Sequence, residues 1–345
     1  MIIPTNYIKN IDDLSTQDKS FVLDYLEKNY TAEIFYNQEI MIAMKKIFFD
    51  MSFIYEALEC LEHAGLNFTL SLVGGALRDL LSENYNLIKD LDIVLSINNI
   101  HDYSKNQTVS SLTHIESNPK LKELISDCEK KYENWLSWDI DKKIATLVEA
   151  ALSKKLKIKR TYVPLDLPKD MEHNGIFRSN YHNIFLRGVI KLEDDKLRYP
   201  ADILICNSSA EDYVNTFDFN ICKVMLSITS QQFKEMTIKF NWDTLEKIKN
   251  QIIPFNEFWL DMSYKKLTLN PIGFDMNALE RAIVEHLPRI QNKYSGHKLS
   301  LIEYNHHQEI NHEVKTYLEK MSEFIILNEK LPTKQDSKKI KSVKI

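Results

Sequence analysis

The chain has 345 residues, 44% of them hydrophobic and 27% charged, which is enough apolar content for a folded core and excludes a low-complexity chain. A net charge of −5 excludes a wholly basic nucleic-acid binder and leaves room for a local basic groove. No apolar run is long enough to span a membrane, Met1–Asn6 lacks the features of a secretion signal, and Cys60, Cys128, Cys206 and Cys222 show no CxxC spacing. The expectation is a cytoplasmic protein with reduced thiols and no membrane partner.

From the N-terminus, a first helix is expected after Ser15-Thr16-Gln17-Asp18, with Leu23, Tyr25 and Leu26 on it. A longer helix over 37–63 carries Ile40, Ala43, Met44, Ile47, Phe48, Met51, Ile54, Tyr55, Leu58 and Leu61 at helical spacing, with Gly65 as its stop. No Gly- or Ser-rich linker comes after it, so residues 1–66 read as a helical extension packed on a domain that runs from 67 to 230.

That domain opens on the most informative stretch of the chain. An apolar strand over 67–73 runs into Gly74-Gly75, a short helix carries Arg78 and Asp79, and a second strand carries Lys89-Asp90-Leu91-Asp92-Ile93. Side chains two apart on a strand share a face, so Asp90 and Asp92 lie side by side and need a cation between them. Hard carboxylate oxygens suit Mg²⁺. The chain has 7 glycines, and two of them adjoin here, where a bare backbone approaches a ligand closely and helix-start N–H groups favour an anion. A phosphate cradle beside a metal-binding pair is what two-metal nucleotidyl transfer from a nucleoside triphosphate needs.

In order and spacing, residues 70–97 resemble the head of the DNA polymerase β-like nucleotidyltransferase superfamily. More narrowly they resemble the poly(A) polymerase and CCA-adding family, whose motif is roughly GGxxRD, a turn, then KDxD. The resemblance implies an α+β head built on a small mixed sheet, with Asp90 and Asp92 holding two Mg²⁺. It further implies that Gly74 and Gly75 touch the triphosphate through their backbone and that Arg78 either pairs with a phosphate or braces the aspartates. Asp79 reads as a structural partner. The spacer from Ala76 to Lys89 is a little longer than the family's usual one.

A helical insertion is expected over about 100–182, with helices at 121–138 and 140–153. Over 155–162, Lys155, Lys157 and Lys159 alternate with Leu156 and Ile158. That pattern fits either a cationic strand facing nucleic-acid phosphates or an edge strand guarded by lysines. Strands over 183–192 and 197–206 form a hairpin about Glu193-Asp194-Asp195-Lys196. Asp202 is a lone acid in the apolar second strand. It either meets a cation, as the third metal-binding carboxylate that the resemblance implies, or points to solvent beside the hairpin. Phe217-Asp218-Phe219-Asn220-Ile221 loosely resembles the family's RRDFTxNA motif without its arginines. The resemblance extends nucleotide binding to Asp218 and Asn220, with Lys223 one turn on as a further phosphate candidate; a capping Asp218 at a helix start fits equally.

Residues 231–330 read as a helical C-terminal region. Met276, Leu279, Ile283, Leu287 and Ile290 form its apolar stripe, and Arg281, Arg289, Lys293 and Lys298 are either a basic wall or ordinary solvated charges. His306, His307 and His312 lack the spacing of a zinc site. The tail, 331–345, is lysine-rich and reads as disordered. The expected activity is transfer of a nucleoside monophosphate from an NTP to an acceptor hydroxyl, with an RNA 3′ end such as a tRNA as first choice. Glu280-Arg281 and Arg289 do not reproduce the family's EDxxR stretch, so the base is not read from sequence. A protein or small-molecule acceptor, or a non-catalytic antitoxin-like module, are the alternatives.

Overall fold

The computed structural model describes residues 13–29, 38–63, 66, 68–97, 122–133, 138, 140–162, 186–238, 247–248, 251–271, 274, 276–301 and 312–328. Met1–Asn6, Gly65, His306, His307, the lysine-rich tail and much of the 100–182 insertion lie outside the described residues.

Two helices come first, α1 (Thr16–Asn29) and α2 (Gln38–His63). All ten apolar positions expected on the α2 face are buried. Then come β1 (Phe68–Val73), α3 (Gly75–Leu81), a 3-10 turn (Tyr85–Leu87) and β2 (Leu91–Ile97). Helices α4 (Lys122–Lys131) and α5 (Ile140–Ser153) precede β3 (Ile158–Tyr162) and the hairpin β4 (Leu186–Leu192) and β5 (Ala201–Cys206). The chain continues with α6 (Ala210–Asn215), a 3-10 turn (Asn220–Cys222), β6 (Val224–Ile228), α7 (Ser230–Ile238), β7 (Ile252–Pro254) and α8 (Asn256–Tyr264). Last come β8 (Lys266–Leu269), α9 (Met276–Arg281), a π-helical turn (Ala282–His286), α10 (Leu287–Lys293), β9 (Lys298–Leu301) and α11 (His312–Asn328).

This is an α+β architecture. Seven strands form one mixed sheet in the order β3-β4-β5-β2-β1-β6-β7, with β5 and β2 parallel and the other neighbours antiparallel. The period-2 alternation of strands divides the core cleanly. Leu70, Leu72, Leu91, Ile93, Leu95, Ile203 and Ile205 face the larger cluster shared with α2 and α5. Val73, Val94, Val189, Leu204 and Met225 face a smaller one covered by α6. Among the described strands β3 is an edge strand, with Lys157 and Lys159 exposed and Lys159 paired with Glu193, which fits the lysine-guarded edge and leaves the phosphate-facing alternative open.

Two expectations are corrected. The helix expected over 121–138 ends at Lys131. The C-terminal region is not only helical: β7 joins the main sheet, and β8 pairs in parallel with β9 as a separate two-stranded sheet. Lys266-Leu267-Thr268-Leu269 and Lys298-Leu299-Ser300-Leu301 are four residues each, too short for alternation to separate a strand from a helix segment.

Asp50 fixes the hairpin. It is fully buried on α2, and its carboxylate accepts the backbone N–H groups of Arg198 at 3.0 Å and Tyr199 at 2.9 Å. The Arg198 guanidinium also lies 3.4 Å from the Phe49 ring centroid. These contacts tie the long helix to the start of β5, the strand that carries Asp202.

Candidate active-site cleft

The motif residues converge on a cleft of about 690 Å³. Its acidic wall results from sheet register. Asp92 on β2 lies opposite Val73 on one side and Asp202 on the other, and Asp202 lies opposite Lys191 on β4. The four residues therefore form one crosswise row, Lys191–Asp202–Asp92–Val73, with neighbouring strands ~4.8 Å apart. All share the parity of Val94 and Leu204, so they face the smaller cluster, at the end of the sheet where that cluster stops. Asp90, two residues before Asp92, precedes the strand and also lines the cleft.

Asp202 is about a quarter exposed and pairs with Lys191 Nζ. Burial pushes its carboxyl up from the ordinary value, and Asp90 adds to that, while Lys191 pulls it down. Of the two alternatives for Asp202, the structure places it in the cleft beside Asp92 rather than out in solvent.

The floor is glycine for steric reasons. Gly74 has φ 71° and ψ −127°, a conformation closed to side-chain-bearing residues. A Cβ there would sit 3.0 Å from Phe217 Cε2 and 3.9 Å from Asp92 Oδ2. The Gly74 N–H, however, donates to the Val224 carbonyl at 3.0 Å, so it is committed to the strand junction and not aimed at a ligand. That corrects the expected backbone phosphate contact at Gly74.

Arg78 is buried. Its Nε and Nη2 both reach Asp79 Oδ1 at 2.8 Å, Nη1 reaches Cys222 Sγ at 3.1 Å, and the guanidinium lies 5.4 Å from the Tyr294 ring centroid. It braces Asp79 rather than Asp90 or Asp92. Asp79 also accepts from Lys293 Nζ and from the Tyr294 hydroxyl at 3.2 Å, as befits a structural partner. Burial pushes the Cys222 thiol up to about 11, so it is not a thiolate nucleophile despite its place in the lining.

A second part of the lining comes from the continuous helix made by α9, the π-turn and α10. Arg281, His286, Arg289, Asn292 and Lys293 from this helix all line the cleft. A π-turn inserts one extra residue into the helical repeat and rotates the part of the helix beyond it. Arg281 and His286 lie five apart and Arg281 and Arg289 eight apart, yet they serve one surface. The stripe residues Leu279, Ile283, Leu287 and Ile290 are buried, as expected, and Met276 packs against them. Of the basic residues, Arg281, Arg289 and Lys293 line the cleft, Arg281 paired with Glu285 and Lys293 with Asp79; Lys298 sits on β9, outside the lining.

His286 joins this helix to the head. Its Nδ1 shares a hydrogen bond with the buried Asp218 carboxylate, which fixes the proton on that nitrogen. Asp218 lines the cleft but caps no helix, since the 3-10 turn after it begins from Phe219 with no side-chain cap. Asn220 and Lys223 do not line the cleft. Lys223 Nζ instead lies 3.6 Å from Glu257 Oε1.

Sequence reasoning missed Lys191 and His286 as site residues. A turn confined to Glu193–Lys196 would have set Lys191 opposite Arg198; it is the longer connection, with Leu192 paired to Ala201, that brings Lys191 opposite Asp202. No local pattern marks His286, because the π-turn that aims it has no sequence signature.

The carboxylates suit a hard divalent cation chemically. Among the described residues, however, no three His, Cys, Asp or Glu side chains are grouped closely enough to hold a metal ion as they stand.

No family model matches this sequence, and no curated protein matches it. Among solved structures, the chain is similar to a tRNA-processing enzyme in apo form I, at 14% identity over 72% of this chain and 42% of that chain, with a TM-score of 0.35. It is similar to a tRNA-processing enzyme with CTP at 16% identity over 71% and 43%, TM-score 0.33. It is also similar to a CCA-adding enzyme in complex with CTP at 13% identity over 94% and 50%, TM-score 0.35. The chain thus spans half or less of the length of these solved chains.

Proposed function

We propose that this protein is a metal-dependent nucleotidyltransferase that moves a nucleoside monophosphate from an NTP to an acceptor hydroxyl and releases pyrophosphate. The observation that carries the reading is the cleft's polarity. Asp90, Asp92 and Asp202 line it from the sheet, with Lys89 and Lys191 beside them, and Arg281, His286, Arg289 and Lys293 line it from the helix. A triphosphate is the ligand that needs both, carboxylates to hold its counter-cations and cations to take its outer oxygens.

Asp90 and Asp92 would hold the Mg²⁺, with Asp202 as the third ligand. When bound, the metal supplies charge neutralisation at the phosphates and a lowered pKa for the attacking hydroxyl. The chain's own residues do the rest. Gly74 keeps the floor free of a side chain, so the α-phosphate can approach the aspartates. Arg289, exposed on its helix, offers a planar donor fork for a terminal phosphate. The Asp218–His286 bond holds the helix in register against the head, so the two walls keep a fixed separation.

The acceptor is assigned to an RNA 3′ end, tRNA-like, which is the acceptor implied by the motif resemblance of residues 70–97. The test is incubation with each of four α-labelled NTPs, Mg²⁺ and total cellular RNA, beside an Asp90→Ala/Asp92→Ala control. Label entering RNA with the wild type alone supports the proposal and names the base. Label on a protein or small product moves the acceptor, and equal label in the control removes the carboxylates from the chemistry.

A further inference from the structure

Asp202 sits between two unlike neighbours in one row of the sheet: Asp92 at one strand spacing on one side and Lys191 at one strand spacing on the other. Its carboxylate has gone to the lysine. We propose that Lys191 is a built-in counter-ion that holds Asp202 away from the Asp90–Asp92 pair until a divalent cation takes its place. The inference rests on the nucleotidyl-transfer reading and adds a residue with a defined part in metal loading.

Three observations support it. First, the row geometry gives Lys191 no comparable acidic neighbour on its other side, because the next strand, β3, presents Thr161 and Arg160 across from Ile190 and Lys191. Second, four carboxylates line the cleft, Asp90, Asp92, Asp202 and the His286-bound Asp218, yet among the described residues no group of three is placed to hold a metal ion as it stands. Asp202 is the one of them already committed to a lysine ammonium. Third, the lysine is about a third exposed, on a flexible stem, and itself lines the cleft. It can therefore leave the carboxylate without unfolding anything, and its ammonium then stays on the wall where phosphate oxygens arrive. A fixed arginine fork in the same place would be harder to displace.

The exchange is one cation for another at the same carboxylate. A divalent ion binding Asp202 must overcome the ion pair first, so Lys191 lowers the apparent metal affinity and removing it raises that affinity.

The experiment is Mn²⁺ titration of the full chain, monitored by the loss of the free-ion spin-resonance signal, with no nucleotide and no turnover. The variants are Lys191→Met, Lys191→Arg, Asp202→Asn and Lys191→Met/Asp202→Asn. Lys191→Met should bind Mn²⁺ about tenfold more tightly than wild type. Lys191→Arg, which keeps the pair, should bind no more tightly than wild type. The gain from Lys191→Met should vanish in the Asp202→Asn background. An unchanged or weaker affinity in Lys191→Met overturns the proposal, as does a gain that persists in full without Asp202, since that is general charge removal. Should Lys191→Met fail to fold, Lys191→Gln serves with the same expectations. Wild-type binding that Asp90→Ala/Asp92→Ala abolishes, combined with no effect at Lys191, sinks the counter-ion alone. Absence of any such binding sinks the nucleotidyl-transfer reading together with it.

Discussion

The acidic wall of the cleft comes from two paired strands, β2 and β5, with Lys191 of β4 beside them, whereas the cationic wall comes from one helix with a π-turn. Backbone ladders fix the aspartates: Asp92, Asp202 and Lys191 are neighbours because β2, β5 and β4 are paired in that register. Buried polar ties fix the helix: Lys293 and Tyr294 to Asp79, Tyr294 to Ser82, and His286 to Asp218. A ladder survives the loss of any one side chain. A set of ties does not, because each buried group left behind is unsatisfied. Substitutions on the first wall should therefore remove chemistry and leave the fold intact, and substitutions behind the second should do the reverse.

The largest effect is expected at Asp92 and Asp90. Alanine at either position should lower nucleotide transfer by about 10³-fold or more, as for groups that hold the reacting charge. The melting temperature should not fall, because the change relieves repulsion between like charges. Full activity in either variant, measured as labelled nucleotide incorporated, would undo the assignment of the acidic wall.

Next is Asp79→Asn. The residue is 1% exposed and holds Arg78, Lys293 and Tyr294 together. Removing its charge leaves the buried Arg78 without its counter-ion and weakens the hold on the half-buried Lys293, and should cost about 3–5 kcal/mol by urea denaturation. Gly74→Ala belongs in the same range of severity, since it forces a side chain into φ 71° and against Phe217. If Asp79→Asn melted like wild type but lost turnover, Asp79 would belong to the chemistry and the contrast between the walls would fail.

A smaller change is expected at Arg289, which is exposed and lines the cleft. Arg289→Ala should raise KM for the NTP about tenfold with kcat little altered, the loss of one charge-assisted contact worth ~1.5 kcal/mol. A loss confined to kcat would shift Arg289 from ground-state binding to the transition state.

The contrast between the walls also explains what was legible in the sequence. The Gly-Gly turn, Asp90-Leu91-Asp92 and the α2 stripe are local patterns at period 2 or 3.6, so spacing alone places them. Asp202 was legible because an acid in an apolar strand is anomalous. Of the basic wall, Arg281, Arg289 and Lys293 stood out as candidates, but their common face and the place of His286 depend on a π-turn that only packing creates. Asn220 and Lys223 went astray for a related reason. Beyond Asp218 the chain makes a 3-10 turn rather than a helix, so one turn further on does not mean the same face. The short β8 and β9 were hidden because tertiary pairing, not propensity, makes them strands.

The gentlest test concerns the support behind Asp218. Asp261 on α8 is buried, and its carboxylate accepts the Thr268 N–H at 2.8 Å and the Thr268 hydroxyl at 2.5 Å. It also accepts a backbone hydrogen bond from Ile221, in the 3-10 turn just after Asp218. Burial pushes it up to about 7, from an ordinary 3.8. The folded state therefore keeps its proton where the unfolded chain has lost it. Between about pH 4 and pH 7 the unfolded state binds fewer protons, and stability falls as pH rises. Asp261's contribution is complete at the acid end of that window and is lost as pH passes the folded value. The denaturation midpoint of wild type should thus fall from pH 5 to pH 8 relative to that of Asp261→Asn, which carries no such proton. Parallel midpoints across that range would mean that Asp261 is ionised throughout, held by its three donors and the nearby Lys223 charge, and that the turn behind the cationic wall is anchored by a charge rather than by a neutral carboxyl.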